Sequence, residues 1–335
     1  MSISRKFLLP ISPIYGLVTK VRNICYDKKV FNSRSYPIPI ICVGNLSVGG
    51  TGKSPMVEYL IDHISKYHRI ATLSRGYGRS TKGFRLLDEN DTAENVGDEP
   101  LQFKNKFPNI NVAVDENRQR GITELLKTAN PEVIILDDAF QHRRVQAGLN
   151  ILLTSYGDLY TDDLLLPAGN LREPISGAKR AGIVVVTKCP RDLSEKEQAM
   201  ISRKLKLQAH QNLFFSYINY SSEIYNGKES IPLTSLAGKK ITLVTGIANP
   251  KPLLDHLRIE KIMFEHLRFP DHYNFKEKDL EKFSGEIILT TEKDYMRLKS
   301  LNDNFNLFYI PISLKFIKDP EKFEKLINQY ILNEK

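Results

Sequence analysis

The stretch that decides the fold is Val48-Gly-Gly-Thr-Gly-Lys-Ser-Pro55, a glycine-rich loop ending in a lysine, a hydroxyl residue and a proline. In a phosphate loop of the pattern G-x-x-x-x-G-K-[ST], backbone N–H groups surround a polyphosphate, the lysine reaches its β and γ oxygens, and the hydroxyl coordinates Mg²⁺. Lys53 and Ser54 match these two roles, whereas Ser47 replaces the first glycine. The predicted nucleotide-binding residues are Ser47, Val48, Gly49, Gly50, Thr51, Gly52, Lys53 and Ser54.

The flanks of the loop support this interpretation. Residues 39–43 form an apolar run rich in β-branched side chains, and Met56, Leu60 and Ile64 recur at helical spacing after the loop. Pro55 is compatible with the first turn of a helix, where a missing N–H costs no intrahelical hydrogen bond. The order of strand, loop and helix therefore favours a phosphate loop over a glycine-rich turn without a ligand.

Further short apolar runs alternate with helical patterns, which predicts a P-loop NTPase-like α/β fold: a mostly parallel sheet with helices on both faces. A second α/β pattern begins near residue 241 and predicts a smaller α/β/α domain. The predicted parts are an N-terminal helical segment (residues 1–35), a phosphate-loop domain (36–210), a two-stranded linker (211–238) and the smaller C-terminal domain (239–335).

Composition narrows the partners. The chain has 335 residues, is 41% hydrophobic and carries a net charge of +9, which favours a nucleotide, a nucleic acid or an acidic membrane as partner unless the basic surface is merely diffuse. We predict no nucleic-acid binding, because no basic stripe interleaved with aromatic residues occurs. Cys25, Cys42 and Cys189 are widely spaced, which disfavours a disulfide framework or a zinc site and fits a reducing cytosol.

The N-terminal segment predicts an amphipathic helix that starts near Ser12. Its apolar face comprises Ile14, Leu17, Val18, Val21, Ile24 and Cys25. Lys28, Lys29 and Arg34 follow, and no apolar stretch approaches the roughly 20 residues needed to span a bilayer. Two interpretations stay open: the helix lies in a membrane interface near acidic headgroups, or it packs its apolar face on the domain.

A second acidic motif ends the apolar run that begins at Val133. Asp137 and Asp138 stand at its carboxyl end, where phosphate-loop enzymes hold Mg²⁺ directly or through water. A pair of acids that caps the next helix is the alternative. Gly97-Asp-Glu-Pro100 adds two further carboxylates before a helix. Asp98 or Glu99 is a candidate base for a reacting hydroxyl or a further Mg²⁺ ligand, with solvated helix caps as the alternative.

Three other loops carry candidate binding residues. Ser74-Arg-Gly-Tyr-Gly-Arg79 is a flexible basic turn suited to a sugar phosphate, although a plain surface turn has the same signature. Leu166 to Pro174 carries Arg172. Phe269 to Tyr273 presents His272, which could orient or share a proton with the base across a cleft. The predicted substrate contacts are Arg75, Tyr77, Arg79 and Asn170.

Taken in order, seven motifs resemble the tetraacyldisaccharide 4′-kinases of lipid A synthesis. They are residues 44–55, 74–79, 97–100, 137–142, 166–174, 269–273 and Thr-Glu-Lys-Asp at 291–294. The resemblance implies Mg²⁺-dependent transfer of the γ-phosphoryl of ATP to the 4′-hydroxyl of a tetraacyl glucosamine disaccharide 1-phosphate, which forms lipid IVA. It also implies a peripheral protein on the cytoplasmic face of the bacterial inner membrane, held by its N-terminal helix and by anionic lipid.

Carried over residue by residue, the resemblance implies the following roles. Asp98 and His272 are a catalytic pair, Lys53 is the phosphate clamp, Arg118 and Arg172 steady the transferring phosphate, and Ser54, Asp138, Asp137 and Glu99 serve the metal. Two departures affect the path after Asp138: Ala139 stands where the family usually has glycine, and the segment after His142 lacks the usual Arg-Asp-Leu.

One function of another class competes with the kinase. A membrane-associated P-loop ATPase switch would use the same loop to control a partner protein, whereas a kinase needs no obligate protein partner. Guanine-specific binding is disfavoured, because Pro190 occupies the position of the base-reading acid after Thr187 and Lys188.

Overall fold

The computed structural model describes residue 5, residues 7–299, residue 301 and residues 306–334. The first elements are α1 (Ser12–Asp27), β1 (Ile40–Asn45), α2 (Lys53–Ile64), β2 (Ile70–Ser74), β3 (Arg85–Leu86), α3 (Ala93–Val96), α4 (Asp98–Lys106), β4 (Asn111–Val114), α5 (Arg118–Thr128), β5 (Val133–Asp137), β6 (Leu149–Ser155), β7 (Ile183–Thr187), α6 (Glu195–Leu205) and β8 (Asn212–Tyr220). The remaining elements are β9 (Glu223–Tyr225), β10 (Ser230–Pro232), β11 (Ile241–Thr245), α7 (Lys251–Ile259), β12 (Glu265–Arg268), α8 (Glu277–Leu280), β13 (Ile287–Thr291), α9 (Glu292–Leu298), β14 (Leu307–Ile310), β15 (Ile312–Phe316) and α10 (Pro320–Asn333).

The large sheet has nine strands in the order β15-β8-β7-β6-β1-β5-β2-β4-β3. Its interior strands are parallel, and β3 and β15 form antiparallel edges. Every residue of β1, β5 and β7 is buried, as their apolar runs predict for strands covered on both faces. Because β1 lies between β5 and β6, its carboxyl end is a topological switch point, where open α/β sheets bind ligands.

The second sheet has six strands in the order β10-β9-β14-β13-β11-β12. Strands β11 to β14 pair in parallel, and β9 and β10 add an antiparallel edge. Leu243, Leu257 and Leu289 are fully buried in a core of its own. The chain therefore forms the P-loop-like parallel sheet and the second, smaller α/β unit that the alternating pattern predicts.

The two sheets do not follow the predicted limits at 211–238 and 239–335. Strand β8 pairs first with β7 and then, from Ser216 onward, with the returning strand β15, so that the connection is made by β8 and β15. Strands β9 and β10 belong to the second sheet, and α10 packs on the large one through Phe323 and Ile327. The sequence prediction missed this return because strand partners far apart in the chain leave no local signature.

Helix α1 docks on the large unit through its polar side. The Ser12 hydroxyl donates to the Leu165 carbonyl at 3.0 Å, and the Asn23 amide donates to Glu173 at 2.7 Å. The apolar residues face outward, with Leu17 62% exposed. The alternative in which the helix packs its apolar face on the domain is therefore wrong. Over residues 7–299 and 306–334, no helix combines the length and apolar character that crossing a bilayer requires.

Candidate active site

The phosphate loop leaves the end of β1 and enters helix α2 at Gly52. Gly49 and Gly52 have φ angles of +111° and +84°, a region in which a Cβ is strained, so the backbone needs glycine at both positions. The Lys53 ammonium points back across the loop, with Nζ 3.4 Å from Asn45 Oδ1 and 3.7 Å from Asp138 Oδ1. The lysine and the end of β5 therefore face the same space.

The acidic pair stands at the end of β5, beside β1. Asp137 is 2% exposed, and its Oδ1 has no hydrogen-bond partner among the described residues. Burial, together with the charges of Glu99 and Asp138, raises the pKa of Asp137 to about 7. Asp138 adopts a φ of +47° and lies within reach of Lys53. A buried carboxylate oxygen without a donor can bind a cation or accept a hydrogen bond from its bound water.

Two arginines flank the acidic pair. The Arg172 guanidinium binds both oxygens of Asp138, at 2.8 Å and 3.2 Å. Arg118 is only 3% exposed and donates to the Asp115 carbonyl at 2.5 Å and the Asp137 carbonyl at 3.5 Å. Burial lowers the pKa of Arg118 to about 10, so the group stays charged at neutral pH. Arg172 therefore lines the site, whereas Arg118 lies behind the acidic strand end.

Helix α4 brings Asp98 and Glu99 to the start of α2. The Ser54 hydroxyl donates to Glu99 Oε1 at 2.7 Å. His272, from the loop after β12, lies with Nδ1 3.3 Å from Asp98 Oδ2. Burial opposes the shift, but hydrogen bonds from His272 and Arg297 lower the pKa of Asp98 to about 2. The hydrogen bond with Asp98 raises the pKa of His272.

Two further cations reach these carboxylates, and the sequence analysis assigned them no role. Lys293 Nζ lies 2.5 Å from Glu99 Oε1, and Arg297 Nη2 binds Asp98 Oδ2. Burial opposes the shift, but attraction to Lys293 and its hydrogen bond, with that of Ser54, lowers the pKa of Glu99 to about 2. The motif at 291–294 was the available signal. It lies at the carboxyl end of β13, so the helix that follows starts at the same edge of the second sheet as the loop that carries His272.

Comparison with known proteins identifies the family. The family model described as tetraacyldisaccharide-1-P 4′-kinase, LpxK, matches residues 4–332. The chain belongs to this family. The tetraacyldisaccharide 4′-kinase of Flavobacterium johnsoniae is 53% identical over 99% of this chain and 98% of its own length. That of Bacteroides thetaiotaomicron is 43% identical over 97% of this chain and 93% of its own length.

A solved structure matches over the same extent. LpxK from Aquifex aeolicus, crystallised in complex with ATP, superposes with a TM-score of 0.82 at 33% identity, over 98% of this chain and 100% of that one. As a 4′-kinase family member, the chain is an ATP-dependent phosphotransferase of lipid A biosynthesis. An ATPase switch that controls a partner protein is not favoured.

The predicted substrate residues separate into two groups in this kinase fold. Arg75 and Tyr77 are exposed on the loop after β2, and the Tyr77 ring lies 5.8 Å from that of His272. The Arg79 guanidinium is engaged by Glu116 and the Gly83 carbonyl, each at 2.7 Å, and its side chain is 4% exposed. Arg79 therefore holds the loop closed, and its role as a substrate contact remains a prediction.

Asn170 lies beside the phosphate loop. Its carbonyl accepts a hydrogen bond from the Val48 N–H at 2.8 Å, and its side-chain oxygen accepts one from Arg5 at 2.6 Å. The residue thus links the loop that carries Arg172 to the phosphate loop, and any role in substrate binding remains a prediction.

The residues at the site fit a magnesium ion. Ser54, Glu99, Asp137 and Asp138 offer hard oxygen atoms, and within the described part of the chain Asp137 Oδ1 has no hydrogen-bond donor. Over the described part of the chain, no three His, Cys, Asp or Glu side chains form a ready-made metal cluster. Oxygen donors of this kind suit Mg²⁺, which keeps several waters and is bound through one or two carboxylates together with substrate phosphates.

Proposed function

We propose that phosphoryl transfer takes place between the phosphate loop and Asp98, with Asp98 as the base and His272 as its partner. The observation that supports this most is the 3.3 Å contact between Asp98 and His272, which belong to different units of the protein. The next residue, Glu99, contacts Ser54 of the phosphate loop. In phosphoryl transfer, an Asp within hydrogen-bond reach is the usual acceptor of the hydroxyl proton.

The proposed transfer exchanges one phosphorus–oxygen bond for another. The 4′-hydroxyl oxygen forms a bond to the γ-phosphorus, the bond from that phosphorus to the bridging oxygen breaks, and its electron pair leaves with ADP. The hydroxyl proton passes to the Asp98 carboxylate. The low pKa of Asp98 is compatible with this role, because in a loose transition state most of the proton transfer follows cleavage, when the attacking oxygen has become strongly acidic.

Cations on the large unit serve the phosphates. Lys53 starts helix α2 and faces the β and γ oxygens in the phosphate-loop pattern, while Arg172, which pairs with Asp138 at the same edge, would contact the transferring group. Ser54, Asp137, Asp138 and Glu99 would hold Mg²⁺, which when bound supplies positive charge to the phosphate oxygens. The Asp138 to Arg172 pair keeps both side chains oriented toward the site.

We propose further that the protein lies on the cytoplasmic face of the bacterial inner membrane as a peripheral protein without an obligate protein partner. Helix α1 exposes Ile14, Leu17 and Val18 at 62–64%, and its docked side is polar. An exposed apolar helix face with basic residues nearby is typical of an interfacial helix on anionic lipid. Such placement would present the site to a lipid-anchored acceptor.

The test is a transfer assay with purified protein, γ-labelled ATP, Mg²⁺ and a tetraacyl disaccharide 1-phosphate in detergent. Label should appear on the lipid, and Asp98→Ala should lower the rate by about 10²- to 10⁴-fold while ATP still binds. Asp255→Ala is the matched control, since Asp255 pairs with Arg258 on the exposed surface of α7. Label found solely as free phosphate would favour the ATPase switch, and unchanged transfer by Asp98→Ala would refute the choice of base.

A further inference from the structure

Helix α9 of the second unit is clamped along helix α4 of the large unit. Lys293 and Arg297 lie four residues apart on α9 and therefore share one face of that helix. They bind Glu99 and Asp98, the first two residues of α4. At the far end of α4, Lys106 Nζ lies 3.4 Å from Glu292, the first residue of α9. The two helices thus meet through three ion pairs.

The Arg297 side chain is held firmly from behind. Its Nη1 lies 3.3 Å from Asp294 Oδ1, and its side chain is 9% exposed. Asp294 is fully buried and accepts the Gly246 N–H at 2.9 Å, while the Gly246 carbonyl accepts the His272 N–H at 3.0 Å. Arg297 and His272 are therefore anchored to the same loop after β11.

The contacts of Asp98 are concentrated on one oxygen. Among the described residues, its side chain is bound by Arg297 and His272, and both contacts are made to Oδ2. Arg297 Nη2 also lies 2.9 Å from His272 Nδ1, and because that nitrogen donates to Asp98 this is a close contact and not a further hydrogen bond. A guanidinium only donates hydrogen bonds, and a carboxylate has two accepting oxygens. Occupation of Oδ2 from the second unit leaves Oδ1 to receive the proton of an incoming hydroxyl.

We propose that Arg297 is a positioning residue for phosphoryl transfer: with His272 it grips Oδ2 of Asp98 and so directs Oδ1 toward the acceptor hydroxyl. This inference rests on the proposed role of Asp98 as the base. The orientation of a reacting group strongly affects the rate, because a displacement of that group by about 1 Å can lower the rate about 10²-fold. The second unit therefore aims the base as well as supplying the histidine.

The first test compares three variants in the lipid transfer assay. Arg297→Ala should lower kcat about 10²-fold and leave the KM for ATP within about twofold, since the nucleotide is bound by the other sheet. Arg297→Lys should recover part of the loss, because it keeps the charge but not the fork. Arg258→Ala is the matched control, an exposed arginine on the neighbouring helix α7 that pairs with Asp255 at 3.2 Å. A normal kcat for Arg297→Ala, or a change in KM alone, would overturn the proposal.

Two further measurements keep the test decisive. Thermal melting and ATP binding show whether Arg297→Ala folds, and if it does not, Arg297→Gln is expected to show the same loss of kcat in a folded protein. Guanidinium ion added at millimolar concentration should restore part of the activity of Arg297→Ala, which loss of structural support alone would not allow. Absence of any rescue together with an equal loss in the lysine variant would count against positioning.

A double variant separates this inference from the proposed function. If Arg297 acts through Asp98, Arg297→Ala should cost little more in an Asp98→Ala background, because residues that act as one unit are not additive. Fully additive losses would mean that Arg297 acts on the phosphate itself and would refute the inference while leaving the base intact. If Asp98→Ala alone transfers normally, it is the base assignment that fails.

Discussion

The carboxyl edges of the two sheets contribute differently to one site. The large sheet contributes a continuous loop, Leu46 to Gly52, whose backbone suits a polyphosphate, and the acids that end β5. The second sheet contributes single side chains, His272, Lys293 and Arg297, from a loop and a short helix. This difference predicts that the proposed nucleotide binding and the proposed orientation of Asp98 are separable, because they belong to different units. Variants should divide accordingly.

The largest effect should come from the large sheet. Lys53→Ala should weaken ATP binding and lower transfer by about 10³-fold or more, because it removes the charge that the proposal assigns to the β and γ oxygens. ATP affinity by calorimetry and the lipid transfer rate measure the two effects. Lys66→Ala is the control, since Lys66 pairs with Asp62 on the surface just past the same helix. Normal ATP affinity in Lys53→Ala would break the proposed division.

A change on the second sheet should leave binding intact. His272→Ala should lower kcat by about 10- to 100-fold and leave the ATP affinity unchanged, because its ring contacts Asp98 rather than the phosphate loop. The control is His256→Ala on α7. The His256 ring lies away from the site and stacks on that of Tyr220, with the two ring centroids 4.6 Å apart. Loss of ATP binding in His272→Ala would show that the second sheet also holds the nucleotide.

A change at the junction of the two units should alter the dependence of the transfer activity on Mg²⁺. Glu99→Gln should raise the Mg²⁺ concentration for half-maximal transfer by about tenfold, because a neutral amide replaces the carboxylate that Ser54 and Lys293 hold in place. A titration of activity against free Mg²⁺ measures this change. An unaltered Mg²⁺ requirement would place Glu99 in support of α4 alone.

The smallest effect on chemistry should come from helix α1, which belongs to neither edge. Leu17→Ser with Val21→Ser should reduce binding to anionic vesicles by about tenfold, because two exposed apolar side chains no longer enter the interface. Transfer to detergent-dispersed acceptor should change less than twofold. Ile259→Ser is the matched control, an apolar residue of the second unit that is 75% exposed. If the double variant bound vesicles as well as the unmodified protein, the interfacial role would be refuted.

The part of the site that could be predicted is the part encoded locally. The phosphate loop and the acids at 137 and 138 depend on the backbone geometry of adjacent residues, which a glycine pattern or a strand end reveals. The pairing of Asp98 with Arg297 joins residues 199 positions apart, and the sequence around either residue does not indicate the other as its partner. Basic character likewise could not distinguish exposed Arg75 from Arg79, which Glu116 neutralises.

The fold shows the same limit. Strand and helix patterns predict two α/β units, because periodicity reports which faces are buried. Periodicity does not show which element a strand or helix packs against. The sequence therefore leaves two placements of α1 open, and it places residues 312–333, which form β15 and α10 on the large sheet, in the C-terminal domain.

The return of the chain along β15 has a consequence for synthesis. Residues 312–333 close a unit whose first strand is made some 270 residues earlier, so a nascent chain on the ribosome must complete the second unit before the first. Until Phe323 arrives to pack against Tyr59, the apolar flank of the nucleotide-binding half is uncovered. A premature stop near the carboxyl terminus would therefore damage the half that is translated first.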